Sequence, residues 1–213
     1  MSKSDRNKKG GQEPARANSN SHVPLTEEEI QNAHVGVAKP LAGVIILSEY
    51  DSSWPQLFER EAARVRAALG DDVLLLEHVG STSVQGLAAK PRIDMLLAVN
   101  DSTNEAAYVP ALESAGYILT IREPDWFQHR MFKGPDTDIN LHVFSTGCPE
   151  IKRMLLFRDW LRAHQDDRRL YESAKRELAQ RQWKYTQNYA DAKTDVVRAI
   201  LARAEADLGK AAT

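Results

Sequence analysis

A glycine followed by three hydroxyl-bearing residues lies in the segment EHVGSTSVQGLAAKPRID, which covers residues 77–94. The hydroxyl-bearing residues are Ser81, Thr82 and Ser83. Gly80 has no side chain, so a ligand can approach the backbone closely at this point. We expect a strand to end at Val79 and a short helix to begin in the turn. Free N–H groups at a helix start, together with adjacent hydroxyls, are typical of an anion-binding site.

Two further residues of the segment suit phosphate chemistry. Lys90 supplies a mobile cation that can bind a phosphate as a point charge. Asp94 lies on the next predicted strand, where a carboxylate can hold a Mg²⁺ ion that bridges phosphate oxygens. A second interpretation stays open from the residues alone. In it, Ser81 or Thr82 caps a helix and Asp94 pairs with a nearby arginine.

Hydrophobic periodicity predicts an α+β fold in which a mixed β-sheet core with helices positions this segment. The predicted helices cover residues 26–33, 53–69, 101–115, 150–164, 167–183 and 191–207. The predicted strands cover residues 44–47, 73–79, 92–99, 117–121, 126–133 and 138–144. Near Pro149 the pattern changes from mixed strands and helices to helix almost throughout. We therefore expect a core of residues 23–148 and a helical C-terminal cap of residues 149–213 within one compact molecule.

Charge is unevenly distributed along the chain. Residues 1–22 carry a net charge of +3 and no large aliphatic residue, so we expect a disordered basic tail. Residues 23–148 carry −9 and residues 149–207 carry +3. The net positive charge of the cap could therefore supply cations to phosphates held by the acidic core.

The overall composition excludes several classes of protein. There are 28 Lys and Arg against 30 Asp and Glu, so the net charge of −2 does not favour nucleic acid as a partner. No apolar run approaches the roughly 18 residues that cross a bilayer, and no apolar stretch follows the charged N-terminus, so we expect neither a membrane span nor a secretory signal. Cys148 is the single cysteine, which excludes an intrachain disulfide. We expect a soluble cytoplasmic protein, and its oligomeric state stays open.

Several sequence elements resemble those of the GrpB family. The segment from His78 to Asp94 resembles the family's central signature, and Tyr50–Pro55 resembles its opening Tyr-Asp-Pro-x-Trp-Pro element, with Ser52 in place of the proline. Further matches are Leu141-His-Val143, Phe157-Arg-Asp-Trp-Leu-Arg-Ala-His164, and the residues Tyr171, Lys175, Tyr189 and Lys193. The likeness covers residues 44–205 in the family's order.

The GrpB family is similar to the nucleotidyltransferase-fold superfamily, and the resemblance implies a nucleotidyltransferase-like core. In that superfamily a Gly-Ser turn holds the nucleotide phosphates, and three carboxylates bind two Mg²⁺ ions. Gly80 and Ser81 match the turn, and Asp94 matches the first carboxylate. Leu96 stands where the second carboxylate is expected. The third position is occupied by Asn140 or His142, with Asp138 as the nearest acid.

This departure limits the expected metal chemistry. Two divalent ions repel each other and normally need several shared carboxylates, so we expect at most one Mg²⁺. Asp94 and His142 are the candidate catalytic residues, and Asp94 and Glu77 are the candidate metal ligands. Strand alternation places Glu77 and Val79 on one face and His78 on the other. As a lone histidine on a strand, His142 could equally be a hydrogen-bonded core residue.

Other side chains have two interpretations. Trp126, Phe127 and His129 could stack on a base, although aromatic residues on a strand more often belong to the core. The cap arginines could bind phosphates or lie on a solvated helix face; they are Arg153, Arg158, Arg162, Arg168 and Arg169.

Two classes of function follow. One is an enzyme that binds a nucleotide or phosphorylated small molecule and transfers a nucleotidyl or phosphoryl group with Mg²⁺. The other is a non-catalytic nucleotide- or phosphate-binding module. The family also occurs fused to dephospho-coenzyme A kinase, which links the module to coenzyme A metabolism by association alone.

Overall fold

The computed structural model describes residues 24–211, so the predicted tail of residues 1–22 lies outside the described residues. Within that range the chain forms five strands and seven α-helices. The strands are β1 (Leu75–Val79), β2 (Ile93–Val99), β3 (Ile118–Glu123), β4 (His129–Lys133) and β5 (Ile139–Ser145). The helices are α1 (Glu27–Ala33), α2 (Trp54–Leu69), α3 (Val109–Ser114), α4 (Pro149–Ala163), α5 (Gln165–Ala179), α6 (Thr186–Asp191) and α7 (Thr194–Ala211). The fold is α+β, as the sequence predicts.

The five strands form one mixed sheet in the order β1-β2-β5-β4-β3. Strands β2 and β5 are parallel, whereas the other neighbouring strands are antiparallel. Parallel neighbours need a crossover connection, and here residues 100–138 provide it with α3 and the β3–β4 hairpin. This crossover places Asp94 of β2 directly beside Asn140 of β5.

The sheet has one apolar face and one partly polar face. Odd-numbered residues of β2, such as Met95 and Leu97, pack in the main core with Phe58 and Val65 of α2. Even-numbered residues of β2 face the other side, where Leu96 and Ala98 pack with Val79, Phe144 and Ile151. Near the start of β2 this face carries Asp94, whose side chain is partly exposed. The alternation predicted for these strands is confirmed by the pairing register.

The cap packs directly on the segment that follows the Gly-Ser turn. Val84 and Leu87 of that segment form a buried cluster with Leu161, Tyr171 and Ile200 of the cap helices. The turn is therefore held between the sheet and the cap.

Residues 24–48 connect the cap to the far edge of the sheet. Leu25 N–H donates to Asp191 Oδ2 of α6 (3.0 Å), and Val35 N–H donates to the carbonyl oxygen of Thr120 on β3 (2.9 Å). Helix α1 begins with the predicted capping box of Thr26 and Glu29.

Three predictions of secondary structure are wrong. Residues 44–47 form no strand, because Ile45 packs against Leu178 and Tyr189 of the cap instead of joining the sheet. The predicted helix 101–115 is reduced to a single turn at 105–107 and α3. Three helices replace the last two predicted ones, because the short helix α6 lies between α5 and α7.

None of the helices in residues 24–211 is long and apolar enough to cross a membrane.

Candidate functional site

The turn after β1 depends on glycine for two reasons. Gly80 has φ +68°, a conformation that residues with a side chain rarely adopt. A Cβ atom at this position would also lie 2.5 Å from Asp94 Oδ2. The glycine therefore allows the carboxylate of β2 to contact the backbone of the turn, which joins two of the predicted site residues.

Of the three hydroxyls in the turn, two are used by the turn itself. Ser83 Oγ donates to the Gly80 carbonyl (2.6 Å), and Thr82 Oγ1 donates to the Arg92 carbonyl (3.2 Å) and lies 3.0 Å from His78 Nε2. The short helix expected in the turn is a single 3₁₀ turn of residues 81–83. The hydroxyl available to a ligand is that of Ser81.

Asp94 lies in a polar environment on the partly polar face of the sheet. Asn140 Nδ2 donates to Asp94 Oδ1 (2.8 Å), and His142 Nε2 lies 3.8 Å from the same oxygen. Burial would raise the pKa of Asp94, but His142, the Asn140 hydrogen bond and the nearby charge of Arg92 together hold it below its ordinary value. The side chain is 30% exposed, so this ionised carboxylate remains accessible.

The arginine expected as a partner of Asp94 in the structural interpretation binds elsewhere. Arg92 Nε donates to Asp138 Oδ1 (2.8 Å), and Arg158 of the cap donates to Glu77 Oε2 (2.7 Å). Neither arginine forms an ion pair with Asp94, so the Asp94 carboxylate is left for another role.

The donor set at Asp94 is small. Leu96 is fully buried, and the carboxylate of Glu77 is held by Arg158, so the structure gives Glu77 a partner other than a metal. In residues 24–211 no three Asp, Glu, His or Cys side chains converge as metal ligands. The Asp94 carboxylate nevertheless fits one Mg²⁺ ion, since Mg²⁺ keeps several waters and is often held by one carboxylate plus substrate phosphates.

Lysines from the core and the cap surround the turn. Lys175 of α5 is 2% exposed; its Nζ donates to Ser81 Oγ (3.0 Å) and to the Ala88 carbonyl. Burial and the neighbouring Lys193 lower the pKa of Lys175 to about 7. Burial, Arg92 and Lys193 lower the pKa of Lys90 to about 8. Burial and repulsion between neighbouring cations are the physical causes of these shifts.

A third lysine, Lys133, lies next to the Asn140 side chain that contacts Asp94; its side chain is 33% exposed. Lys133 Nζ donates to Asn140 Oδ1 (2.6 Å), which fixes the amide so that its Nδ2 faces Asp94. Burial and the charge of Arg92 lower the pKa of Lys133 to about 8. The structure thus adds Lys133, which the sequence had not indicated, and places Asn140, one of the two residues at the third carboxylate position, beside Asp94.

Two tyrosines line the same region. Lys175 Nζ lies 4.8 Å from the ring centroid of Tyr171, and Lys193 and Lys90 lie 4.6 and 5.7 Å from that of Tyr189. Among the described side chains, Tyr189 OH is buried without a hydrogen-bond partner. Burial raises the pKa of this phenol, which therefore stays protonated and able to donate.

The cap residues could have been found in the sequence. Tyr171 and Lys175 are four residues apart, as are Tyr189 and Lys193, and residues at this spacing share one face of a helix. The repeated Tyr-x-x-x-Lys spacing is the signal, although Lys193 lies in the turn between α6 and α7. Nothing in the sequence says that Lys175 meets Ser81.

The aromatic residues around His129 and the cap arginine Arg153 have structural contacts in this fold. His129 is 4% exposed and packs against Phe144 and Trp126, so these side chains form part of the interior and do not present a free stacking surface. Arg153 pairs with Glu150.

A separate cleft of about 630 Å³ opens beside the turn. Its lining residues are Tyr50, Ser83, Gln85, Arg162 and Arg168. Asp94 is not among them.

Comparison with known proteins agrees with this architecture. A sequence model of the family described as GrpB protein matches residues 44–203. The chain is similar to a UPF0157 protein of Halalkalibacterium halodurans, with 58% identity over 193 residues that cover 91% of this chain and 99% of that protein. A protein named dephospho-CoA kinase from Mycolicibacterium paratuberculosis is 30% identical over 157 residues, covering 62% of this chain and 39% of that protein.

A solved structure shows the same fold. The crystal structure of the conserved protein GrpB from Enterococcus faecalis has a TM-score of 0.64 and 31% identity, and the match covers 74% of this chain and 98% of that one. The chain therefore belongs to the GrpB family.

Proposed function

We propose that the protein binds a nucleotide or another phosphate-bearing small molecule between the Gly-Ser turn and the helical cap. The observation that carries the proposal is Lys175, a buried cation whose contacts are a hydroxyl, a carbonyl and an aromatic ring. In residues 24–211 neither Lys175, Lys90 nor Lys193 lies within ion-pairing distance of a carboxylate. A buried lysine without an ion pair is costly, and a bound anion would lower that cost further than the more distant carboxylates of Glu172 and Asp94 do.

Phosphate is the anion that best fits these groups. Lysine ammonium groups bind phosphate as point charges, and the Ser81 hydroxyl and Tyr189 OH add neutral donors. The space beside Gly80 is taken by the Asp94 carboxylate, so the glycine brings that carboxylate next to the turn and to the proposed ligand. The similarity of Gly80 and Ser81 to the phosphate-binding turn of nucleotidyltransferases supports a nucleotide as the ligand.

A second candidate function is transfer of a nucleotidyl or phosphoryl group with a single Mg²⁺ ion. The specific observation in its favour is the ionised Asp94 with His142 Nε2 3.8 Å away, on the face of the sheet next to the turn. Asp94 would hold the ion, and the phosphates of the substrate would supply further oxygen ligands.

The alternative is a binding module without catalysis. Leu96 and Asn140 stand where carboxylates would hold a second metal ion, and neither can replace one. The relatives named dephospho-CoA kinase support a place for such a module in coenzyme A metabolism. This alternative shares the lysine-lined site with the first proposal.

A thermal-shift screen tests the proposed binding. Nucleoside triphosphates and inorganic pyrophosphate are added with and without Mg²⁺, because a ligand that binds the folded state alone raises the melting temperature. We expect a rise for the wild-type protein and for Lys152→Met, an exposed lysine on α4, but not for Lys175→Met. No rise with any of these compounds, or an equal rise for Lys175→Met, would refute the proposal.

A further inference from the structure

The cleft beside the Gly-Ser turn has two arginines in its wall and no acidic lining residue. Its volume of about 630 Å³ lies within the range of about 300–1,000 Å³ that is typical of small-molecule sites. Arg162 is near the end of α4 and Arg168 is in the first half of α5, while Tyr50, Ser83 and Gln85 come from the core. The cleft therefore lies between the core and the cap, and its wall carries positive charge.

Arg162 is already committed to protein partners. Its Nε and Nη2 donate to the Ser83 carbonyl (3.1 and 2.9 Å), and its Nη1 donates to Asp159 Oδ1 (3.3 Å). These contacts hold the guanidinium against the turn and give its charge a carboxylate partner. Arg162 is therefore a fixed part of the wall.

Arg168 is fixed in place but keeps one edge of its guanidinium open. Its Nη1 donates to the carbonyls of Leu161 (3.1 Å) and Arg162 (3.2 Å), which belong to the last turn of α4. In residues 24–211 the Nε and Nη2 groups of Arg168 have no hydrogen-bond partner, and no carboxylate lies within ion-pairing distance of this residue. Two parallel N–H donors and an unpaired charge are thus available at the cleft.

These free groups select the chemistry of a ligand. The parallel Nε–H and Nη2–H donors of a guanidinium match the two oxygens of a planar carboxylate. The charge of one arginine balances a monoanion, whereas a phosphate dianion would need a further cation. An ammonium group on the ligand would meet two guanidinium groups and no lining acid, and like charges placed together at a binding surface are costly.

We propose that this cleft is a second binding site, which takes a small organic acid with one carboxylate and no cationic group. Arg168 binds the carboxylate through Nε and Nη2. The phenol of Tyr50 and the amide of Gln85 offer a ring face and polar groups to the rest of the molecule. The inference goes beyond the proposed phosphate binding and does not depend on it, because neither Lys175 nor Lys90 lines the cleft.

Side-chain ¹H–¹⁵N NMR of the labelled full-length protein tests the class of ligand. Monocarboxylates from propanoate to 3-phenylpropanoate are titrated, and the Arg168 Nε–H signal is followed. We expect a saturable shift with at least one acid and none with its neutral amide. Phenylalanine, which adds an ammonium group to 3-phenylpropanoate, should bind at least about tenfold more weakly than that acid. No saturable shift with any acid, equal binding of the amide or of phenylalanine, or tighter binding of phenyl phosphate would overturn the inference.

Variants test the role of Arg168, with the side-chain amide of Gln85 as the reporter. Arg168→Gln should weaken binding of the acid at least about tenfold, whereas Arg169→Gln, an exposed change at the next position, should not. Arg168→Lys keeps the charge and a donor for the carbonyls of α4 but lacks the paired N–H edge. It should also weaken binding at least about tenfold, and the melting temperature of each variant shows whether it is folded.

Lys175→Met separates this inference from the proposed function. We expect it to leave binding of the acid unchanged, since Lys175 lies outside the cleft. Full binding in Arg168→Gln, or binding that is lost in Lys175→Met and kept in Arg168→Gln, would place the acid elsewhere and overturn the inference. Failure of nucleotides to bind leaves these titrations unaffected, because they contain no nucleotide.

Discussion

Replacing Lys175 by methionine removes a buried charge while keeping the length of the side chain. Lysine has an ordinary pKa of 10.5, and burial with the nearby Lys193 lowers that of Lys175 to about 7. The folded protein therefore carries an unfavourable charge below about pH 7, and it loses that charge as the pH rises. Between these two pKa values the unfolded state binds more protons, so the contribution of Lys175 to stability improves with rising pH.

The size of the effect follows from the shift. Each pH unit above the folded pKa changes the free energy of unfolding by about 1.4 kcal/mol, so between pH 6 and pH 9 the contribution of Lys175 changes by about 2–3 kcal/mol. The free energy of unfolding of Lys175→Met, taken relative to that of the wild-type protein, should therefore be about 2–3 kcal/mol higher at pH 6 than at pH 9. The hydrogen bonds to Ser81 and Ala88 are lost at both pH values, so they shift the difference without changing its slope.

Urea unfolding at pH 6 and pH 9 measures this difference. Lys152→Met serves as the control, since Lys152 is exposed and its replacement should give the same difference from wild type at both pH values. A stability difference between Lys175→Met and wild type that is independent of pH would show that Lys175 is solvated. The argument for an anion site at the turn would then fail.

Three further replacements test the site by urea unfolding. Gly80→Ala adds a Cβ atom 2.5 Å from Asp94 Oδ2 at φ +68° and should lower the free energy of unfolding by about 1–3 kcal/mol. Gly70→Ala is the control: Gly70 has φ +54° and no atom within 4 Å of the added Cβ, so its replacement should cost less. Equal losses of stability in the two variants would contradict the close contact at Gly80. Leu96→Asp places an unpaired carboxylate in a fully buried position and should cost several kcal/mol (~2–7), whereas a mild loss would show that the site can accept an acid there. Asp94→Asn should lower stability at pH 7, with the penalty shrinking as the pH falls through the lowered pKa of Asp94; a constant penalty would contradict that shift.

The sequence predicted those parts of the fold that local patterns specify. The capping box of Thr26 and Glu29, the glycine that ends α2 at residue 70 and the alternation of β2 all act over a few residues. The strand predicted at residues 44–47 does not form because a long-range contact decides the conformation there. Ile45 packs against Leu178 and Tyr189, more than 130 residues away, and this contact overrides the strand propensity of the aliphatic run.

The same distinction applies to the candidate site. Gly80, Ser81 and Asp94 are close in sequence, and their types indicate phosphate chemistry. Lys175 reaches Ser81 across 94 residues and could be placed there only once the cap had been docked on the turn.

The hydrogen bond between His129 and His142 depends on the pairing of β4 with β5, which the turn between them sets. Sequence reasoning treated these two histidines separately, because their contact follows from register and not from spacing.

Calorimetric titration of the wild-type protein with Mg²⁺–ATP and with inorganic pyrophosphate tests the central claim most directly. Bound phosphates would raise the lowered pKa values of Lys175 and Lys90, so binding at pH 8 should take up protons, and binding at pH 6 should take up far fewer. Titrations in two buffers of different ionisation enthalpy measure that uptake. We expect proton uptake at pH 8 that is largely lost in Lys175→Met and kept in Lys152→Met. Absence of binding, or binding with no proton uptake in the wild-type protein, would contradict an anion site built on these lysines.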